Sequence, residues 1–165
     1  MWPPGDTYEL PERKTIRLQD FDYSSNGAYF VTVCTQGHRC LFWEWDQAVL
    51  NTGGTMVFEW LSKLPGKFPG VELDCCAVMP NHVHMLLFLE QSQTSLDKVV
   101  SWFKTMTTNA YIRGVKTGLY PSFDKQLWQR SYYEHVIRNE QDLRETRNYI
   151  SENPLKWQLD HLYTE

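Results

Sequence analysis

VELDCCAVMPNHVHMLLFLE, residues 71–90, places two largely apolar runs on either side of the dipeptide Pro80-Asn81. Proline and asparagine are turn formers, so the stretch reads as two antiparallel strands joined by a tight turn. Within the second strand, side chains alternate between faces with a period of two. His82 and His84 therefore point one way, and Val83 points the other. A same-face imidazole pair suits a divalent metal ion. It equally suits hydrogen-bonded polar residues on a half-solvated face.

Working outward, AYFVTVCT (28–35) follows an SSNG turn and reads as an earlier strand. Residues 51–64 carry Met56, Trp60, Leu61 and Leu64 at helical spacing, opened by Asn51 and closed by PGKFPG. A second helix is predicted from Ser95, its N-cap, to Arg113, with Leu96, Val99, Val100, Phe103 and Met106 on its apolar face. YYEHVIR reads as a short strand, and Asn139 caps a last helix running to about Asn153, where Pro154 stops it. The order β-α-β-β-α-β-α predicts an α+β sandwich on an antiparallel sheet. Residues 1–15, with prolines at 3, 4 and 11, are expected to form an irregular arm before a single domain over 16–165.

Composition narrows the function classes. A chain of 165 residues with 42% apolar residues suffices for one buried core and is short for two. The four cysteines form no C-x-x-C pair, and the N-terminus lacks a basic segment followed by a long apolar run. A reduced cytoplasmic setting is expected, without a disulfide framework or a membrane span. Net charge is −4, yet residues 95–156 hold ten Lys/Arg against seven Asp/Glu, a local +3 that leaves −7 elsewhere. That asymmetry allows a basic groove for a polyanion on an otherwise acidic protein, as well as ordinary solvated helix faces.

The last helix bears on the histidines. In NEQDLRETRNYISENP, Tyr149 and Asn153 are four residues apart and share a helix face. If that face packs over the histidine strand, a phenol and an amide oxygen converge on two imidazoles. Such a set, with open positions, suits a six-coordinate ion such as Mg²⁺ or Mn²⁺ that also accepts phosphate oxygens. The plainer alternative is a packed tyrosine ring and a C-capping asparagine. Lys104, Arg113, Arg130, Arg138 and Arg147 are candidate phosphate contacts for such a polyanion, and Trp128, Tyr132 and Tyr133 candidate stacking residues, although solvated cations and core aromatics fit each position too. His135 is expected to be a satisfied structural histidine, with a supporting or ligand role as the alternative.

PNHVH, then WQRSYYEHVIRN and YISENPLKW, together with RLQDFDYSSNGAYFVTVCT and FKTMTTNAYIRG, resemble the single-tyrosine HUH transposases, and within them the REP-associated tyrosine transposases. The resemblance runs from about Ile16 to Trp157. It implies a ferredoxin-like antiparallel sheet flanked by helices, a nucleophilic Tyr149, and metal ligation by His82, His84 and Asn153. It further implies cleavage and rejoining of single-stranded DNA at a hairpin or palindromic repeat through a 5′-phosphotyrosine. The expected partner is that DNA, acted on by a monomer or homodimer in the bacterial cytoplasm, associated with the nucleoid when bound. A hairpin-binding module with little cleavage and a metal-dependent hydrolase using water are the competing readings.

Overall fold

The computed structural model describes residues 27–44, 48–91, 93–160 and 162–163. The arm expected over residues 1–15 lies outside them. Four strands form one antiparallel sheet: β1 (Gly27–Cys34), β2 (Val71–Val78), β3 (His82–Leu89) and β4 (Tyr133–Val136), in the order β2-β3-β1-β4. The helices are α1 (Thr52–Ser62), the single turn α2 (Leu64–Lys67), α3 (Leu96–Lys116) and α4 (Glu140–Glu152). With β1-α1-β2-β3-α3-β4 as its frame and β1 and β3 central, this is the ferredoxin-like arrangement, to which α4 is added on the second face. Among the described residues, no helix is long and apolar enough to cross a membrane.

The alternation of β1 and β3 builds two different layers. Tyr29, Val31, Val33, Val83, Met85, Leu87 and Leu89 pack with Met56, Val57 and Leu61 of α1 and Val99, Val100, Phe103 and Tyr111 of α3. Phe30 and Leu86 face the other way, with Ala77, Met79 and Ile150 of α4. Because β3 is covered on both faces, seven of its eight residues are buried. This is why its sequence reads as nearly continuous apolar residues rather than a clean alternation. The register places Val33 opposite Val83, Thr32 opposite His84 and Cys34 opposite His82.

Capping side chains set three helix starts as the sequence predicts: Asn51 Oδ1 accepts from Gly54 N (2.8 Å), Ser95 Oγ from Lys98 N (3.3 Å) and Asn139 Oδ1 from Asp142 N (2.9 Å). The ends differ. Helix α3 runs to Lys116 rather than Arg113, and β4 is shorter than the predicted YYEHVIR strand. Helix α4 ends at Glu152, close to the predicted Asn153, and Pro154 follows it. The proline sits in the first turn of a 3₁₀ segment, Asn153–Leu159, where its missing N–H costs no intrahelical bond. That segment turns the chain back across the sheet face bearing the histidines.

Between β2 and β3 the register shifts between Leu73 and Cys75, a bulge that re-aims the intervening Asp74. Asp74 accepts two hydrogen bonds from the Arg147 guanidinium, at 2.8 and 2.6 Å, tying α4 to the outer strand.

Candidate active site

His82 and His84 lie on the α4 side of β3, side by side, with 0% and 1% of their surface exposed. Their Nε2 atoms are 3.0 Å apart. The Nδ1 atoms turn outward to different partners: His82 Nδ1 lies 2.7 Å from Asn81 Oδ1, and His84 Nδ1 lies 2.8 Å from Thr32 Oγ1. Each ring is thus held at its back while the two Nε2 atoms share one small space. Burying two imidazoles is tolerable because these bonds replace the lost water.

A third donor comes from beyond the 3₁₀ segment. Asp160 Oδ2 is 3.5 Å from His82 Nε2, and both side chains are fully buried. Asp160 Oδ1 accepts the Leu162 N–H at 2.9 Å, which orients the carboxylate. Among the described residues, His82, His84 and Asp160 form a group whose donor atoms all lie within 4.8 Å of one another. Trp157 of the same segment packs its ring 5.9 Å from His82. Neither Asp160 nor Asn81 and Thr32 had been singled out from sequence. Asn81 adjoins His82 in PNHVH and offered a signal; Asp160 offered none until the 3₁₀ path was known.

Asn153 is buried at the end of α4, its N–H bonded to the Tyr149 carbonyl, so its backbone does cap the helix. Its side-chain Nδ2 is buried without a hydrogen-bond partner among the described residues. That NH₂ is a donor and does not itself ligate a metal; the amide oxygen is the group an ion would take. Two imidazole nitrogens and a carboxylate make a mixed nitrogen and oxygen donor set that fits a divalent ion with further positions open. Cys34 sits across from His82 on β1. Burial pushes its thiol up to about 12, the Asp160 charge adding to the effect and Lys104 opposing it.

Tyr149 projects from α4 over this group, its ring 5.4 Å from His84 and 5.8 Å from Phe30. The two tyrosines named as stacking candidates separate. Tyr132 is buried in the layer beneath α1 and α3, on the far side of the sheet. Tyr133 pairs with Thr32 in register and so stands on the histidine face, one strand farther from His84. Trp128 also fills core: it stacks against Phe42 and Phe103 and donates to Thr107 Oγ1 at 2.9 Å. His135 bonds both oxygens of Asp142 at 2.9 Å and joins β4 to the start of α4.

The candidate phosphate-binding cations occupy different settings. Lys104 Nζ donates to the carbonyls of Gln129, Arg130 and Ser131 at 2.8, 3.1 and 3.2 Å, clamping the loop before β4. With Lys125 and Arg130 it lines an open groove of about 390 Å³ between α3 and that loop, and among the described residues no carboxylate lines it. Arg113 is exposed in the last turn of α3, and Arg138 is exposed just before α4. Arg147 is engaged by Asp74.

Comparison with known proteins agrees with this architecture. The family model described as "Transposase IS200 like" matches residues 55–153. An uncharacterized protein of Haemophilus influenzae is 32% identical over 172 aligned positions, covering 94% of this chain and 96% of the relative. A REP-associated tyrosine transposase of Escherichia coli K12 is 28% identical over 134 positions, covering 81% of this chain and 70% of that protein. The solved structure of a REP-associated tyrosine transposase bound to a REP hairpin superposes with a TM-score of 0.62 at 24% identity, covering 86% of this chain and 74% of its own, a likeness of fold. By the family match and the extent of these relationships, the chain belongs to the IS200-like transposases and is a relative of the REP-associated tyrosine transposases.

Proposed function

We propose that this transposase cuts and rejoins single-stranded DNA at hairpin or palindromic repeats, through a 5′-phosphotyrosine formed on Tyr149. The observation that carries the reading is the Tyr149 ring set 5.4 Å from His84, over two imidazoles whose Nε2 atoms are 3.0 Å apart. Tyr149 Oη forms a bond to the scissile phosphorus as the bond from phosphorus to the 3′-oxygen breaks. The phenol gives up its proton and the departing 3′-oxygen gains one. One phosphodiester replaces another, so a 3′-OH from a second strand can reverse the step without an external energy source.

A phenol titrates near ~10 and is a weak nucleophile at neutral pH. A bound Mg²⁺ or Mn²⁺ would offset this by polarising the phosphate and stabilising charge as it develops. His82, His84, Asn153 and Asp160 are the residues proposed to hold it. With His82 and His84 on a strand and Tyr149 on a helix packed against the same sheet, rigid elements support the in-line displacement the exchange requires. For the DNA, the groove lined by Lys104, Lys125 and Arg130 is the proposed track, with Arg113 and Arg138 as outlying phosphate contacts. As a phosphate contact, Arg147 would have to exchange Asp74 for DNA. The hairpin is carried over from the solved relative's bound REP hairpin.

The test uses single-stranded hairpin oligonucleotides labelled at either end, with Mg²⁺ or Mn²⁺ and with chelator. The expected result is a denaturation-resistant complex that retains the DNA on the 3′ side of the cut, releases a free 3′-OH on the other fragment, and disappears with chelator. Binding without cleavage would support a hairpin-binding module instead, and cleavage without an adduct a hydrolase using water.

A further inference from the structure

The bonds behind the two histidines differ in one respect that matters for a metal. Asn81 is fully buried, and its Nδ2 donates to two carbonyls, His38 O at 3.2 Å and Leu162 O at 2.8 Å. Its backbone carbonyl is also held, accepting Thr35 N at 2.9 Å and Thr35 Oγ1 at 3.0 Å. Two carbonyls can only accept, so the amide edge facing them must be NH₂ and the opposite edge must be the oxygen. That oxygen can only accept as well. His82 Nδ1, 2.7 Å away, therefore carries the proton. In the neutral ring this leaves Nε2 with its lone pair directed into the site, toward His84 Nε2 at 3.0 Å and the Asp160 carboxylate at 3.5 Å, where a bound cation would offset the facing lone pairs.

His84 is held differently. Its Nδ1 partner is the Thr32 hydroxyl, 2.8 Å away, which can donate or accept. With His82 Nε2 fixed as an acceptor, the 3.0 Å contact between the rings is satisfied when His84 Nε2 carries a proton and Thr32 donates to its Nδ1. On ion binding, turning the Thr32 hydroxyl from donor to acceptor lets His84 move its proton to Nδ1.

We propose that Asn81 is a positioning residue that locks His82 in its ligand-ready tautomer, while Thr32 leaves His84 free to switch. The lock is a property of the metal-free protein, and its consequence for an ion rests on the metal reading above. The test begins with ¹⁵N NMR of histidine-labelled, metal-free protein at mildly alkaline pH. Wild type is expected to show His82 with a protonated Nδ1 and an unprotonated Nε2, and Thr32→Val to leave that pattern unchanged. Asn81→Ala should move His82 toward the Nε2–H form and weaken Mn²⁺ binding, followed by electron paramagnetic resonance without DNA, by roughly 10–100-fold. Asn81→Asp retains an acceptor oxygen and should keep the His82 pattern even if the clamp on Leu162 loosens. A wild-type His82 protonated at Nε2, or an Asn81→Ala protein binding Mn²⁺ as tightly as wild type, overturns the proposal. If wild type shows the expected tautomer yet binds no Mn²⁺, the metal reading fails while the lock stands.

Discussion

Alternate residues of β1 and β3 serve two faces of one sheet, furnished by different rules. Toward α1 and α3, the side chains are Tyr29, Val31, Val33, Val83, Met85 and Leu87, filled in by Val99, Val100 and Phe103. Toward α4, the same strands present Phe30, Thr32, His82, His84 and Leu86, with Asn81 and Asp160 closing around the imidazoles. The first face stabilises by removing apolar surface from water. The second also buries several polar groups, and each must find a specific partner or destabilise the fold by about 1–3 kcal/mol. A one-residue slip of β3 would exchange the two faces, so the dry face fixes the register that aims the histidines.

If the two faces have separate duties, damage to each should have a different signature. Phe103→Ala, in the dry layer, is expected to destabilise by roughly 3–5 kcal/mol in denaturant titration, with cleavage per folded molecule retained. His82→Ala and His84→Ala should do the reverse, lowering cleavage by about 100–1,000-fold or more in single-turnover assays while the protein stays folded. Equal loss of folding in the two sets would dissolve the distinction.

A smaller effect is expected where α4 is tied to the sheet edge. The hydrogen bond from Arg147 is the main cause holding the Asp74 carboxyl below the usual range, burial working against it. A carboxyl lowered on folding contributes stability that is fully present above its unfolded value, about 4, and is lost as pH falls through the folded value. Both side chains keep some exposure, 45% for Arg147 and 18% for Asp74, so Arg147→Ala should lower the melting temperature only slightly, and less in high salt. A large drop that is independent of salt would mean that the pair supports the α4 face more than its exposure implies.

The mildest probe is thiol chemistry. Burial is the leading cause that pushes Cys34 and Cys75 to about 12 and Cys76 to about 11. Cys40 is exposed. At pH 8, a thiol reagent should modify Cys40 first and the other three slowly; rapid labelling of Cys34 in the native protein would show that the histidine end of the sheet opens readily.

How much of this could be read from sequence follows from the range of the interactions. The strand pair around Pro80-Asn81, the caps at Asn51, Ser95 and Asn139 and the facing direction of the two histidines depend on neighbours a few residues away, and they emerge from periodicity alone. Helix α3 outran its prediction because its buried face continues past Arg113 to Gly114. Asp160 was missed because its role depends on a turn 78 positions from His82, past the proline that follows the last helix. Lys104 was expected to face phosphate, and its ammonium is spent partly on three loop carbonyls, a contact between distant segments that no local pattern encodes.

Tyr149 is the proposed attacking group, and Tyr133 shares its sheet face. The direct measurement is mass-spectrometric mapping of the DNA-linked peptide after reaction of wild type, Tyr149→Phe and Tyr133→Phe with a hairpin substrate and Mn²⁺. Wild type and Tyr133→Phe should carry the nucleotide on the peptide containing Tyr149, and Tyr149→Phe, folded and still binding DNA, should carry none. A nucleotide on Tyr133, or an adduct that survives in Tyr149→Phe, would contradict the account.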